Sequence, residues 1–154
     1  MSKEVLDAVS EFLTADDVEH ELCQDGTKIH GNIRGETAWF KLIVVVAGEH
    51  PILVLIVQDS LIIPERKRPA IAEAMVRANY ALPIGRFEMD MSDGDLNFYI
   101  SMPLGDESIT HRQFRALFAT ALGQSFSYHR AFARVVWGDD LSPAEAVAEI
   151  ELAD

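Results

Sequence analysis

The sequence predicts an α+β domain in which an antiparallel sheet of about five strands packs with helices, in the order α-β-β-β-α-β-β-α-α. Two observations lead to this prediction. Two pairs of strand-like runs are each joined by a loop short enough for a hairpin. Four other segments have helical spacing of apolar residues or a helix-start signal. The chain has 154 residues, 49% of them hydrophobic, which suffices for one core, so we interpret residues 1–154 as a single domain.

The charge balance is strongly acidic, with 13 Lys and Arg against 25 Asp and Glu and a net charge of −12. Such a surface repels phosphate backbones and anionic membranes, so we expect neither nucleic acid nor a membrane as a partner. The single cysteine, Cys23, excludes an intrachain disulfide framework. The first 25 residues lack the apolar stretch of a signal peptide, which predicts a cytoplasmic protein.

The first quarter of the chain predicts a helix followed by short strands. Apolar residues recur at helical spacing over residues 2–13, and Ser2 is a suitable cap for that helix. Turn signals at residues 25–26 and 34–35 then enclose a segment, residues 29–33, in which apolar residues alternate. We expect short strands in this region.

Two strongly β-prone runs follow, Trp39 to Ala47 and Ile52 to Gln58, and the four residues between them predict an antiparallel hairpin. The centres of both runs are continuously apolar, whereas a sheet with one solvated face normally alternates. Both faces of this hairpin therefore need cover. Each run is much shorter than the ~20 residues of a transmembrane helix, so membrane insertion does not explain the pattern.

A middle helix and a second hairpin are predicted next. Pro64 begins a helix that runs to about residue 80 and ends at Leu82-Pro83. In the hairpin after it, Phe87 alternates with polar residues and a turn at residues 92–95 reverses the chain. The alternation predicts one dry face and one solvated face.

Two helix-start signals mark the last part of the chain. Thr110 and Gln113 have the spacing of a capping box, and the apolar stripe behind them continues to Gly138, which predicts a helix of ~40 Å. Ser142 and Glu145 repeat the capping box around Pro143. A short acidic helix is therefore expected to run to about residue 152.

A set of motifs in the second half of the chain points to one family. They are Asn79-Tyr80-Ala81-Leu82-Pro83-Ile84-Gly85-Arg86-Phe87-Glu88-Met89-Asp90, Asp93-Gly94, Ser101-Met102-Pro103-Leu104, Trp137-Gly138 and Ser142-Pro143-Ala144-Glu145-Ala146. Together with Pro64 and Phe114, these residues resemble the YbjN-type family of bacterial sensory transduction regulators, whose fold is similar to that of type III secretion chaperones. The resemblance implies a chaperone-like α/β fold, dimerisation and a protein-binding or regulatory role. It carries over no catalytic or ligand-binding residue.

The densest carboxylate group is an acidic hairpin formed by Glu88, Asp90, Asp93 and Asp95. Strand alternation places Glu88 and Asp90 about 7 Å apart on one face, a geometry that a small-molecule enzyme such as a glycosidase, or a metal sensor, could use. However, the residue order of a calcium-binding loop is absent. A solvated strand face is the favoured interpretation.

Other candidate sites are weaker. His20 and Cys23, with or without His30, do not complete a zinc pattern. His129 lies on the apolar stripe of the long helix, and we interpret it as a partly buried residue rather than a base. Arg66-Lys67-Arg68 is interpreted as an exposed helix face. Phosphate-binding glycine motifs and the nucleophile elbow are missing, so the sequence predicts no cofactor and no metal.

The function predicted from these observations is a non-enzymatic, homodimeric protein-interaction module with a regulatory or chaperone-like role. The alternative is a small-molecule enzyme or metal sensor that uses the acidic hairpin. A net charge of −12 favours a partner segment that is basic and partly apolar. Trp39, Tyr99 and Trp137 are the candidate partner-binding residues, because aromatic side chains are enriched at interaction hot spots.

Overall fold

A computed structural model describes residues 1–153 and shows, within them, six strands and four α-helices. The elements are α1 (Ser2–Ala15), β1 (Glu21–Leu22), β2 (Lys28–Arg34), β3 (Trp39–Ala47), β4 (Ile52–Asp59), α2 (Arg68–Ala81), β5 (Arg86–Met89), β6 (Leu96–Pro103), α3 (His111–Trp137) and α4 (Pro143–Ala153). The predicted α+β class is therefore confirmed. Within the described residues, no helix is both long and apolar enough to cross a membrane.

The strands form one antiparallel sheet in the order β1-β2-β3-β4-β6-β5. The hairpin of β3 and β4 has the predicted bounds to within one residue. The prediction of about five strands misses β1, in which Glu21 and Leu22 pair with β2. Two residues are too few for an alternation pattern, so the sequence holds no signal for this strand.

The helices cover one face of the sheet. α1 packs on β2 and β3, α3 packs on β4 and β6, and α2 and α4 pack against α3. The core lies between these layers, and the strand residues in it alternate along each strand. They are Ile29, Phe40, Leu42, Val44, Leu53, Leu55, Val57, Phe87, Leu96, Phe98 and Ile100.

The two later helix starts are confirmed in detail. The amide of Gln113 donates to the Thr110 hydroxyl at 3.2 Å, and the Gln113 side chain accepts from the amide of Thr110 at 2.9 Å. Likewise, the amide of Glu145 donates to the Ser142 hydroxyl at 3.2 Å. α3 ends with Gly138 as its C-cap, as predicted.

The first helix starts one residue earlier than expected. Ser2 is not its cap, because Met1 holds that position and the amide of Val5 donates to the Met1 carbonyl. The predicted middle helix also differs at its start, since residues 65–67 form a 3₁₀ turn before α2. Leu82, extended before proline, ends α2 as predicted.

Arg66-Lys67-Arg68 is not uniformly an exposed face. Arg68 is half-buried and its guanidinium donates to the carbonyls of Ile63 and Met91. Lys67 pairs with Asp139 at 3.1 Å. These contacts tie the start of α2 to the β5–β6 turn and to the loop after α3.

Gly94 closes the second hairpin at a point where only glycine fits. Its φ of +83° lies in the left-handed region, and an added Cβ would lie 2.2 Å from the carbonyl oxygen of Ile63. The predicted dry face of this hairpin ends at Met89, the last residue of β5. Met91 lies beyond the strand and is exposed, contrary to the simple alternation.

Candidate functional site

The face of the sheet that turns away from the helices is the first candidate site. Alternate residues of β3, such as Leu42, are buried beneath the helices, whereas Ile43 points away from them. The register carries this second face across the sheet, because Ile43 lies opposite Ile56 and Ile56 lies opposite Tyr99. We call it the open face. It comprises Glu21, Lys28, His30, Asn32, Arg34, Trp39, Lys41, Ile43, Val45, Ala47, Ile52, Val54, Ile56, Gln58, Arg86, Glu88, Asn97, Tyr99, Ser101 and Pro103.

The centre of the open face is aliphatic. Ile43, Val45, Ile52 and Ile56 are each half-buried by their neighbours, while Val54 is nearly inaccessible yet does not belong to the core beneath the helices. Within the described residues, the helices thus cover one face of the β3–β4 hairpin, and no element covers the other face. The continuous apolar runs predicted from the sequence are accounted for by this second, uncovered face.

Two aromatic residues flank this centre, each with an arginine over its ring. The Arg34 guanidinium lies 5.9 Å from the centroid of Trp39, and the Arg86 guanidinium lies 4.0 Å from that of Tyr99. Trp39 is 55% exposed. Cation–π contacts of this kind hold the rings in place, so they are presented at the surface at little further entropic cost.

Trp137 does not share that surface. It is 75% exposed, but it ends α3 in the helical layer. The structure therefore brings Trp39 and Tyr99 to one face and leaves Trp137 apart. Nothing else in the geometry assigns Trp137 to a binding surface.

A second apolar surface lies between α2 and α4. Val76 is 71% exposed and Tyr80 is 95% exposed, one helical turn apart on α2. Beside them a cleft of about 420 Å³ is lined by Val147 and Ala148 of α4, and the exposed Leu152 follows on the same helix. Sequence reasoning missed this surface. Val76 and Tyr80 fall outside the core stripe of α2 at i, i+4 spacing, which is the signal that could have indicated it.

The acidic hairpin is not assembled as an active site. Glu88 pairs with Arg86 at 3.2 Å, and the Asp90 carboxylate accepts the amide of Ser92 at 2.8 Å. Hydrogen bonds from the Ser92 side chain and backbone hold the pKa of Asp90 below its ordinary value. A general acid needs the opposite shift. Asp93 and Asp95 serve the turn, in which the Asp93 carboxylate accepts the amide of Asp95 at 2.9 Å.

The histidines near the N-terminus make contacts within the protein rather than forming a metal site. His20 contacts the Ser10 hydroxyl through Nε2 at 2.6 Å and the Val18 carbonyl through Nδ1 at 2.8 Å, so both ring nitrogens are engaged. His30 lies 3.8 Å from Glu21. Across residues 1–153 there is no group of three or more His, Cys, Asp or Glu side chains placed to hold a metal ion.

A buried pair of polar side chains links the sheet to α3. The Oδ2 atom of Asp59 lies 2.7 Å from Nδ1 of His129, and Oδ1 of Asp59 accepts the amide of Leu61 at 2.8 Å. The contact engages Nδ1 of His129, so Nε2 is the ring nitrogen that does not face Asp59. Phe40 packs edge-on against the imidazole, with ring centroids 5.6 Å apart.

His129 also borders a cleft of about 160 Å³ whose polar lining includes Thr37, Ser127 and Arg130. Neither hydroxyl forms a hydrogen bond to the imidazole in the described part of the chain, so no nucleophile is aligned with it. Sequence reasoning did not identify Asp59 as a candidate residue. Its signal is its position in phase with Leu53, Leu55 and Val57, which alternation directs into the core.

Known proteins share this fold. The crystal structure of YbjN from E. coli, described as "a putative transcription regulator", has a TM-score of 0.63 and 13% identity, over 80% of this chain and 90% of that one. The crystal structure of the ExsC-ExsE complex has a TM-score of 0.53 and 15% identity, over 84% of this chain and 94% of that one. The Yersinia pestis type III secretion chaperone SycH was solved with a stable fragment of YscM2. It has a TM-score of 0.49 and 17% identity, over 79% of this chain and 96% of that one. At these identities the likeness concerns the fold.

The sequence itself decides the family. No curated protein matches the chain. In contrast, the profile of the YbjN family, described as "Putative bacterial sensory transduction regulator", matches residues 6–134. This span runs from within α1 through most of α3 and includes every strand of the sheet that the structure describes. The chain therefore belongs to the YbjN family.

Proposed function

We propose that this protein is a non-enzymatic protein-interaction module with a regulatory or chaperone-like role, and that it acts as a homodimer. The observation that carries the proposal is the open face, an aliphatic sheet surface that no element within residues 1–153 covers. Family membership and the shared fold with the ExsC-ExsE complex support a protein-binding role. In this proposal the open face binds the partner protein.

The energetics favour covering this face. Ile43, Val45, Ile52 and Ile56 each retain accessible surface, and fully burying one such side chain contributes roughly 1.5 to 3 kcal/mol. Contiguous apolar surface with a polar rim is typical of protein-interaction sites. Here the rim is supplied by Lys41, Arg86 and their neighbours on the sheet.

The surface between α2 and α4 is proposed for dimerisation. Val76, Tyr80 and Leu152 are exposed there, although side chains of this kind are normally withdrawn from water. Arg77 and Glu73 form an ion pair at 3.0 Å on the same helix. Two copies related by a twofold axis would place apolar residues centrally and these opposite charges beside each other, as a self-complementary interface requires.

Sedimentation velocity at micromolar concentration tests the dimer. The wild-type protein is expected at twice the 17.1 kDa chain mass, and the double variant Val76→Glu, Tyr80→Glu is expected at the mass of one chain. Ile43→Glu on the open face is the matched control and should remain dimeric. A single 17.1 kDa species for the wild-type protein would reject the dimer.

Site-specific photocrosslinking in bacterial cells tests the partner role. A photoreactive residue at position 43 should give adducts with another protein, whereas one at the exposed position 112 on α3 should not. Adducts at both positions, or at neither, would count against a partner site on the open face. The readout is independent of the dimer, because position 43 lies away from α2 and α4.

A further inference from the structure

We infer that the open face is the docking site for an acidic amphipathic helix of a partner protein. This inference rests on the proposed protein-binding role and specifies the chemistry of the partner. It differs from the basic partner that the net charge suggests. The difference arises because the local charge of the open face is opposite in sign to that of the whole chain.

The charges of the open face establish this reversal. Its cations are Lys28, Arg34, Lys41 and Arg86, and its carboxylates are Glu21 and Glu88. With four cations and two carboxylates the open face is positively charged, although the whole chain has 13 basic and 25 acidic residues. A partner that approaches this face meets the local field at contact distance, because salt screens the more distant carboxylates within about 10 Å.

Two of these cations have no acidic partner. Throughout residues 1–153, carboxylates outnumber cations, yet neither Arg34 nor Lys41 forms an ion pair. Arg34 stacks over Trp39, and Lys41 stands exposed between Asn32 and Gln58 in the register of the sheet. Both cations are therefore available to a carboxylate from outside the chain.

A groove places Lys41 next to apolar surface. The groove has a volume of about 250 Å³ and is lined by Trp39, Lys41, Gln58 and the exposed Ile62, among others. A carboxylate bound to Lys41 would bring neighbouring apolar side chains onto Trp39 and Ile62. This combination fits a segment with acidic and apolar residues side by side.

A second copy of the chain fits this face poorly. Twofold pairing of two open faces would bring Lys41 and Arg34 near the same cations of the other copy, and such like-charge contacts disfavour an interface. A nucleic acid is also disfavoured. The centre of the face is aliphatic, with Ile43 and Ile56, whereas single-stranded nucleic acids are bound by rows of stacking aromatic rings.

The shape of the face favours a helix over a strand. The four central strands span roughly 15 Å at about 4.8 Å per strand, which matches the 10–12 Å width of one helix with its side chains. Helices already cover the opposite face of the same sheet. A helix with Leu on one side and Glu along both flanks would bury the aliphatic centre and meet cations at its edges.

Intrinsic fluorescence provides a reporter specific to this face. The chain has two tryptophans, and Trp137→Phe leaves Trp39 as the single one. The probe is a synthetic helix of about 18 residues, or five turns, with a Leu face and Glu flanks. The control probe has Lys in place of each Glu. The acidic peptide should shift the Trp39 emission to shorter wavelength with a saturable dependence, and the basic peptide should not.

Charge reversal then tests the two cations. In the Trp137→Phe background, Arg34→Glu with Lys41→Glu should weaken the acidic peptide at least about tenfold. Arg66→Glu with Arg112→Glu is the matched control, since both residues are exposed, lack ion pairs in the described chain and give the same change in net charge. Affinity in this control should change less than about twofold. Arg34→Gln with Lys41→Gln should give an intermediate loss of affinity for the acidic peptide. This neutral pair keeps the test possible if the charge-reversed pair does not fold.

Several outcomes would overturn the inference. These are no emission shift with the acidic peptide up to about 1 mM, equal binding of the basic peptide, and equal losses in the reversed pair and the control pair. Displacement of the acidic peptide by a single-stranded oligonucleotide at lower concentration would assign the face to nucleic acid instead. If only the basic peptide bound, the acidic partner would be rejected while the proposed protein-binding role would stand. If position 43 gave no crosslinks, the protein-binding role itself would be rejected.

Discussion

Asn79 of α2 occupies the outer edge of β5 by hydrogen bonding to both backbone groups of Phe87. Its side-chain amide donates to the Phe87 carbonyl at 3.0 Å and its carbonyl oxygen accepts the Phe87 amide at 2.7 Å. The side chain thus substitutes for one residue of a neighbouring strand. Edge strands that lack such cover pair readily with other chains. In this protein, one end of the sheet is closed by a helix.

Replacing Asn79 should therefore destabilise the protein and expose β5. Asn79→Ala leaves the Phe87 amide and carbonyl without partners, which costs about 1–3 kcal/mol of unfolding free energy. Asn79→Asp keeps the acceptor and loses the donor, so a smaller loss is expected. Urea denaturation measures both values, and light scattering reports aggregation. Asn32→Ala on the open face is the control. Equal stability of the wild-type protein and Asn79→Ala would show that the edge contact is dispensable.

Phe87 itself anchors an aromatic cluster in the core. Its ring lies 5.0 Å from that of Phe98, 5.3 Å from that of Tyr128 and 5.1 Å from that of Phe132, measured between centroids. Phe87→Ala is expected to lower the unfolding free energy by about 3–5 kcal/mol. Glu88→Ala on the open face should change it by less than about 1 kcal/mol. If both changes were equally damaging, the assignment of faces along β5 would be wrong.

Asp16 links the end of α1 to the start of α3 and gives a pH dependence of stability. The Arg115 and His111 side chains hydrogen bond to its carboxylate and hold its pKa well below the ordinary value of 3.8. A depressed pKa in the folded state stabilises the protein above the unfolded-state pKa, and this contribution is lost as the pH falls toward the folded-state pKa. The difference in unfolding free energy between the wild-type protein and Asp16→Asn should be constant above about pH 5 and shrink below pH 4.

Urea denaturation at a series of pH values from about 2 to 7 provides this test. The difference in unfolding free energy should change only in roughly the lower half of this pH range. Asp25→Asn is a useful comparison. The pKa of Asp25 is lowered by Thr27, which lies two residues away, so the contacts join no separate elements. A pH-independent difference for Asp16→Asn would remove the proposed linkage.

Much of the fold could be predicted because its signals are local. The capping box at Thr110 and Gln113 determines the start of α3 through contacts three residues apart. The β3–β4 hairpin likewise follows from two apolar runs and the short loop between them. The strand β1 could not be predicted, since Glu21 and Leu22 depend on the strand they join rather than on a pattern of their own.

The candidate site was predictable only in part. The sequence predicts Trp39 and Tyr99 as partner-binding residues from their aromatic character alone. Their common face follows from register across three strands, which no single run specifies. The pairing of Asp59 with His129 joins positions 70 residues apart. Phase along β4 predicts that Asp59 is buried, but its partner depends on how α3 crosses the sheet.

The buried pair of Asp59 and His129 yields the last prediction. Removing the imidazole leaves the Asp59 carboxylate buried with only the Leu61 amide to stabilise it, so His129→Leu should cost about 3–5 kcal/mol. Replacing both residues, as in Asp59→Leu with His129→Leu, removes the uncompensated carboxylate. The double variant should therefore be more stable than His129→Leu alone, because apolar pairs often replace buried polar pairs without loss.

A double-mutant cycle in urea measures this coupling. If the two side chains stabilise the protein as a pair, the cycle gives a favourable interaction energy between Asp59 and His129. Additive losses would show that the two side chains stabilise the protein independently. Ser125→Ala, which removes a buried hydroxyl bonded to the Ala121 carbonyl at 2.7 Å within the same helix, is the control for loss of a polar group without loss of the link between β4 and α3. That variant should cost only about 1 kcal/mol, because the hydroxyl and its acceptor belong to one element and the carbonyl keeps its helical hydrogen bond.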